Sequence, residues 1–217
     1  IIYFLLNSVN SGGAQEKSEK IASKGSDGWA ISDLGGFSCL SGISMIDTSV
    51  RLSFLTYLPF LLKEKEADIS LIGFSLTLVF AGGAAGKLIC GVAAERFGLM
   101  RTMVLTEVAT ALGIITLCFL PLFPSLILLP FLGIALNGTS SVLYGSVGDF
   151  VDPQRQARAF GLFYTLAIGA GAVSPFFYGI ISDRWGLLNC FGILATSLIL
   201  LAPLFFLLSP RLKKVTL

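Results

Sequence analysis

Six runs of apolar residues, each about as long as a bilayer is thick, restrict this chain more than any other feature. They cover residues 36–62, 70–94, 102–122, 125–147, 159–181 and 187–208, and short polar links join them. A hydrocarbon core of about 30 Å is crossed by a helix of about 20 apolar residues. Within that core every backbone N–H and C=O needs a partner in the protein, which a helix supplies from its own turns. The expected fold class is therefore an all-α membrane protein with six transmembrane helices. Composition agrees. Only 13% of residues are charged and the mean hydropathy is +0.85, whereas a soluble domain carries about 25% charged residues to cover its surface.

The segment before the first run, within 7–35, is rich in Ser, Gly and Lys. Such a composition buries too little apolar surface to fold alone and reads as a linker. Residues 1–6, IIYFLL, open abruptly without Met and read as the end of a preceding transmembrane helix, so the chain is expected to be a fragment. The domain division is then 1–6, the linker 7–35, and a six-helix unit over 36–217. If the linker is cytoplasmic, that side receives Lys17, Lys20, Lys24, Arg96, Arg101, Arg155, Arg158, Arg211, Lys213 and Lys214. The opposite side receives only Lys63, Lys65 and Arg184. This excess of basic residues puts the linker and C-terminus on the cytoplasmic side of a plasma or inner membrane.

Several function classes are disfavoured. The chain has no histidine, which excludes His-based triads and zinc–histidine sites from these residues. Cys39, Cys90, Cys118 and Cys190 lie in apolar runs without C-x-x-C spacing and read as small hydrophobes. No basic stripe with interleaved aromatics suggests nucleic acid. Ala81–Leu88, AGGAAGKL, fails as a phosphate loop because Ala81 and Leu88 stand where Gly and Ser or Thr are needed. Its Gly82 and Gly86 instead make a GxxxG pair for close helix packing. No cofactor or metal is expected, and no enzyme motif is present.

The chain also repeats itself. GVAAERFG at Gly91–Gly98 and GIISDRWG at Gly179–Gly186 share the pattern G-x-x-x-[DE]-R-x-G, 88 residues apart. Each follows a helix with a small-residue patch. Three helix ends separate the copies, so they fall on opposite membrane faces. A 3+3 inverted repeat of this kind is the internal symmetry of a secondary transporter half.

Chemistry concentrates in SMIDTSVRLSF, residues 44–54. Asp47 and Arg51 lie near the middle of the first run, beyond easy reach of water. Their i, i+4 spacing puts them on one face, shared with Ser44, where they can pair. A lone charge at bilayer centre costs at least about 2.5–3.5 kcal/mol, so both are expected to face protein or a wet cavity. Two readings stand: a packing clasp, or a proton-responsive site in which protonation of Asp47 frees Arg51. Asn137, Ser141 and Tyr144 recur at i, i+4, i+7 and line one face of the fourth run, as helix glue or as cavity lining. Tyr164 and Thr165 are weaker candidates on the fifth. Lys87 and Glu107 read as interfacial anchors.

The repeated motif at Gly91–Gly98 resembles the signature loop of the major facilitator superfamily, and the linker followed by six spans resembles that superfamily's cytoplasmic loop and C-terminal half. LTYLPFLL at 55–62, LVFAGGAAGK at 78–87, LNGTSSVLYG at 136–145 and RAFGLFYT at 158–165 resemble its drug-efflux branch related to fosmidomycin resistance. The resemblance implies half of a twelve-helix carrier whose two halves rock about a midplane site. Its partners would be a small organic solute, protons, the lipid bilayer and the missing N-terminal six helices. A latch in the signature loop would then involve Gly91, Glu95, Arg96, Gly98 and Arg101. Its repeat copy is Gly179, Asp183, Arg184 and Gly186. Glu95 replaces the usual Asp and Leu99-Met100 replace basic residues, which weakens the expected latch. The expected activity is proton-coupled export by antiport, with Asp47, Arg51, Asn137, Ser141, Tyr144 and Tyr164 at the coupling site. The rival is a non-transporting sensor or assembly subunit on the same fold.

Overall fold

The computed structural model describes residues 31–151 and 156–215, with side chains to 210. The expected helix end at 1–6 and most of the linker lie outside the described residues. Among the described residues seven α-helices follow one another: α1 (Leu34–Glu64), α2 (Ile69–Phe97), α3 (Leu99–Phe119), α4 (Leu122–Ser146), α5 (Gln156–Trp185), α6 (Leu187–Ile199) and α7 (Leu201–Val215). A 3₁₀ turn, Val147–Phe150, extends α4. No strand occurs among the described residues, only a bridge between Ile31 and Val151.

Local chemistry sets the helix limits. The Asp33 carboxylate caps α1 by accepting from the Gly35 and Gly36 amides at 3.0 and 3.1 Å. Asp68 caps α2 by accepting from Leu71 N at 2.8 Å; such side chains satisfy amides that have no partner within the helix. Pro121 precedes α4, where its missing N–H costs nothing. The last run is one span in two pieces. Pro203 has no amide for the Ile199 carbonyl, and α6 stops at Ile199 before α7 resumes at Leu201.

Among the described residues five spans, α2, α3, α4 with its 3₁₀ extension, α5, and α6 with most of α7, are long and apolar enough to cross a membrane. The chain is thus a multi-pass membrane protein. Helix α1 is long enough at 31 residues but more polar. Its Ser41, Ser44, Asp47, Thr48 and Ser53 are all buried against other helices.

Successive spans alternate in direction, with α6 and α7 counted as one. At one end Ser32 N donates to Phe150 O at 2.9 Å; at the other, Lys65 Nζ donates to the Leu120 carbonyl at the end of α3. The two motif copies therefore lie at opposite ends, and their final glycines share an unusual backbone. Gly98 has φ 91°, ψ 145° and Gly186 φ 87°, ψ 158°, a region open essentially to glycine alone. Each amide donates four residues back, Gly98 to Ala94 at 3.0 Å and Gly186 to Ser182 at 2.9 Å. The inverted repeat is thus built into the backbone as well as the sequence: α1, α2, α3 correspond to α4, α5 and α6–α7. Its two most extensive helix contacts, α2 with α4 and α1 with α5, are counterparts under this symmetry.

Candidate functional site

Asp47 and Arg51 flank the midpoint of α1. Asp47 is 4% exposed and Arg51 half-buried. They share a face as the spacing predicts, but the pair does not close into a direct ion pair. Arg51 Nη2 instead donates to Thr48 Oγ1 at 3.2 Å, one turn back on the same helix. The guanidinium also lies within interaction range of the Tyr144 hydroxyl on α4. Tyr144 packs edge-on against Phe163 at 5.6 Å and against Tyr164 at 5.4 Å between ring centroids, which carries the cluster toward α5.

The third ionisable group comes from α3. Glu107 is 3% exposed, and its carboxyl meets that of Asp47 at hydrogen-bonding range. This corrects the expectation that Glu107 is an interfacial anchor. Helix α3 begins at Leu99 and ends at Phe119, so Glu107 sits near its middle, and its buried face turns the carboxyl inward. Lys87, by contrast, remains exposed on α2. Nothing in the sequence spacing links residues 47 and 107. The available signal was the run Thr102, Thr106, Glu107, Thr110, a polar face of a transmembrane helix at helical period, all of it buried.

The cluster is under-satisfied. Five buried side-chain polar atoms have no hydrogen-bond partner among the described residues, and three are Asp47 Oδ2, Arg51 Nε and Glu107 Oε1. Buried polar atoms are otherwise almost always paired, so three such atoms in one cluster single it out. Two adjoining carboxyls with a guanidinium nearby can hold a proton between the acids, or release it and draw in another cation.

The fourth-run stripe falls elsewhere. Asn137 is 9% exposed and lies against Gly83 of α2, while its amide donates to Gly133 O of its own helix at 3.3 Å. Ser141 Oγ lies 3.3 Å from the Lys87 carbonyl on α2 and 2.8 Å from that of Gly138. Both residues therefore sit in the α2–α4 seam, and of the stripe only Tyr144 reaches the charge cluster. Tyr164 is 52% exposed beside Tyr144; Thr165 bonds back to Gly161 O at 2.7 Å. The motif charges Glu95, Arg96, Arg101, Asp183 and Arg184 are exposed at the helix ends. Glu95 borders a recess of about 400 Å³ with Gly91, Leu99, Ser141 and Gly145. No cluster of metal-ligating side chains occurs among the described residues.

The sequence profile of the Major Facilitator Superfamily matches residues 37–216. No curated protein matches the chain. Among solved structures it is similar to the in meso crystal structure of the POT family transporter PepTSo, with a TM-score of 0.66 and 17% identity. That similarity covers 81% of this chain and 37% of PepTSo, so the chain spans well under half of its length. At this identity the likeness concerns the fold alone.

Proposed function

Since the chain belongs to the Major Facilitator Superfamily, we propose that its transmembrane transport is proton-coupled export of a small organic solute, in the manner of the superfamily's drug-efflux branch. In this reading residues 36–217 are the C-terminal half of a twelve-helix carrier, and 1–6 and 7–35 are the end of the sixth helix and the cytoplasmic linker. The carrier lies in the plasma or inner membrane with linker and C-terminus cytoplasmic. Its partners are the solute, protons, lipid and the N-terminal six helices.

One observation carries the reading. Two helices bring Asp47, Glu107 and Arg51 together at mid-span, with unpaired polar atoms on all three. Ionisable groups at that depth are costly and mark ion or substrate pathways. The groups facing Asp47 are Arg51 and Thr48 on its own helix, Glu107 on α3 and, through Arg51, Tyr144 on α4. A proton taken up by the carboxyl pair lowers its hold on Arg51, which then turns to Tyr144 or to a solute. Loss of the proton restores the attraction. Coupling that change to the rocking of the two halves gives alternating access, with Glu95, Arg96 and their glycines at the cytoplasmic latch.

The test is transport by the whole protein in proteoliposomes under an imposed pH gradient, across a panel of small organic solutes. Asp47→Asn removes the proton site and keeps the shape. Gradient-driven accumulation should fall by about 100-fold or more, consistent with loss of a positioned acid–base group. Wild-type rates from Asp47→Asn would refute the coupling role.

A further inference from the structure

A groove of about 320 Å³ opens on the side of the bundle where α3 passes α2 and α4. Cys90, Thr106 and Ala135 are buried on its floor, and Phe97, Leu105 and Phe131 stand exposed along its rims. The floor hydroxyls turn back onto their own helix. Thr102 Oγ1 donates to Gly98 O at 3.1 Å, and Thr106 Oγ1 lies 2.9 Å from the Thr102 and Met103 carbonyls. The walls therefore offer hydrocarbon contact and little else. Among the described residues Arg101 is the single charged side chain of the lining.

Arg101 stands at the mouth, in the first turn of α3. Helical side chains lean toward the N-terminus, so its stem follows the groove and its guanidinium reaches the membrane surface. It has no hydrogen-bond or ion-pair partner among the described residues. The turn itself does not need the charge. In the second motif copy, 88 residues on, the equivalent position is Asn189, whose Nδ2 donates to Trp185 O at 2.6 Å.

Depth separates the possible occupants. From Arg101 to Ala109 the α3 wall rises about 12 Å at about 1.5 Å per residue. One leaflet of a hydrocarbon core of about 30 Å is about 15 Å deep. The groove thus matches one acyl chain, whereas a docked transmembrane helix would need a furrow along the whole span. A free anion would gain nothing from apolar walls. A zwitterionic lipid would fill them, but its ammonium group offsets the pull of Arg101.

We propose that this groove holds one anionic phospholipid, with an acyl chain along α3 between α2 and α4 and the phosphate on the Arg101 guanidinium. A guanidinium can take two phosphate oxygens at once, which fixes the headgroup as well as attracting it. The site has no step in the coupling scheme above and stands or falls separately from it.

The experiment is native mass spectrometry of the whole protein, released from maltoside micelles that contain equal amounts of phosphatidylglycerol and phosphatidylcholine with the same acyl chains. The first lipid retained should be phosphatidylglycerol over phosphatidylcholine by about fivefold, the factor expected for one basic side chain at a membrane surface. Arg101→Gln should bring the two lipids to near parity, and Arg101→Lys should keep most of the preference. Arg158→Gln, which removes an exposed arginine at the same end of the bundle but outside the groove, should leave it unchanged. Ala109→Trp fills the groove, keeps Arg101 and should lower retention of both lipids. Excess inorganic phosphate should not displace the bound lipid. Equal retention in the wild type, or equal losses from Arg101→Gln and Arg158→Gln, overturns the proposal. So does unchanged retention in Ala109→Trp, which would mean a headgroup contact without the groove. Displacement by phosphate would assign the site to a free anion, and a dimer lost in Ala109→Trp while lipid retention holds would assign the groove to a second copy; either result overturns it.

Discussion

The α2–α4 and α1–α5 seams hold equivalent places in the inverted repeat, yet different forces close them. The first is a backbone contact. A Cβ placed on Gly82 would overlap the Pro130 carbonyl, one on Gly86 that of Ile134, and one on Gly133 that of Val79. The second is a hydroxyl network. Ser53 and Ser174 share a 3.0 Å hydrogen bond, Ser174 Oγ lies 3.0 Å from both the Ser49 and Gly171 carbonyls, and Tyr57 Oη donates to Pro175 O at 2.6 Å. Pro175 has no amide for the Gly171 carbonyl four residues earlier, and the Ser174 hydroxyl supplies a donor there. Lipid gives little apolar drive for helix association, so close packing and hydrogen bonding are the two available means. Symmetric topology therefore does not require symmetric chemistry. The α2–α4 seam leaves no room for adjustment, whereas hydroxyls between α1 and α5 can change partners beside a helix that also carries Asp47 and Arg51.

The largest expected effect tests the backbone seam. Gly82→Ala forces α2 and α4 apart, because the obstructing atom is a carbonyl rather than a flexible side chain. Overpacking of this kind costs about 3 kcal/mol at the upper end of its usual range. Gly73→Ala, on the same helix but with nothing within 4 Å of an added Cβ, should leave stability within about 0.5 kcal/mol or raise it slightly. Thermal denaturation of the purified whole protein in micelles reads both. Equal melting points would mean that the seam is looser than its geometry.

Much of this architecture is legible in sequence because membrane physics acts locally. Run length alone places the helices, and the repeated glycine motif places two turns whose backbone matches within a few degrees at φ. GxxxG spacing at Gly82 and Gly86 marks the tight seam before any contact is seen. The charge cluster is only half legible. Depth and i, i+4 spacing single out Asp47 and Arg51, but spacing on one helix says nothing about Glu107, which reaches them by packing across the bundle. For the same reason the periodicity of Asn137, Ser141 and Tyr144 identifies a shared face without saying which helix it meets. Arg51 shows a further limit. A backbone position permits a pair, while the rotamer that serves Thr48 and Tyr144 decides against it.

Effects in the hydroxyl seam should be smaller. Ser174→Ala removes the acceptor for Ser53 and the donor for Ser49 O and Gly171 O, but one hydroxyl hydrogen serves only one of those carbonyls at a time. Interhelical hydrogen bonds in membrane proteins average about 0.6 kcal/mol and reach about 1.7. Ser174→Ala should cost about 1 kcal/mol in the same melting assay, within that range. Ser53→Ala together with Ser174→Ala should cost less than their sum, since each removes the same shared bond. Strict additivity would show that Ser53 and Ser174 are not partners.

Tyr57→Phe should give the smallest change, and it distinguishes a static seam from a working one. It removes the bond to Pro175 O and leaves the ring against Phe60 at 6.1 Å. The carbonyl loses its side-chain donor, so the stability cost stays near the average for such bonds, about 0.6 kcal/mol. The same hydroxyl also occupies the space that a Cβ on Gly179, the first glycine of the second motif copy, would need, 2.6 Å away. The first copy has no counterpart, because nothing lies within 4 Å of a Cβ placed on Gly91. If α1 and α5 move against each other during transport, removing this tie should alter turnover more than stability. A small loss in melting point with a several-fold change in transport rate for Tyr57→Phe would support motion at this seam. Unchanged turnover would make α1–α5 as rigid as α2–α4, with its hydroxyls serving only as packing.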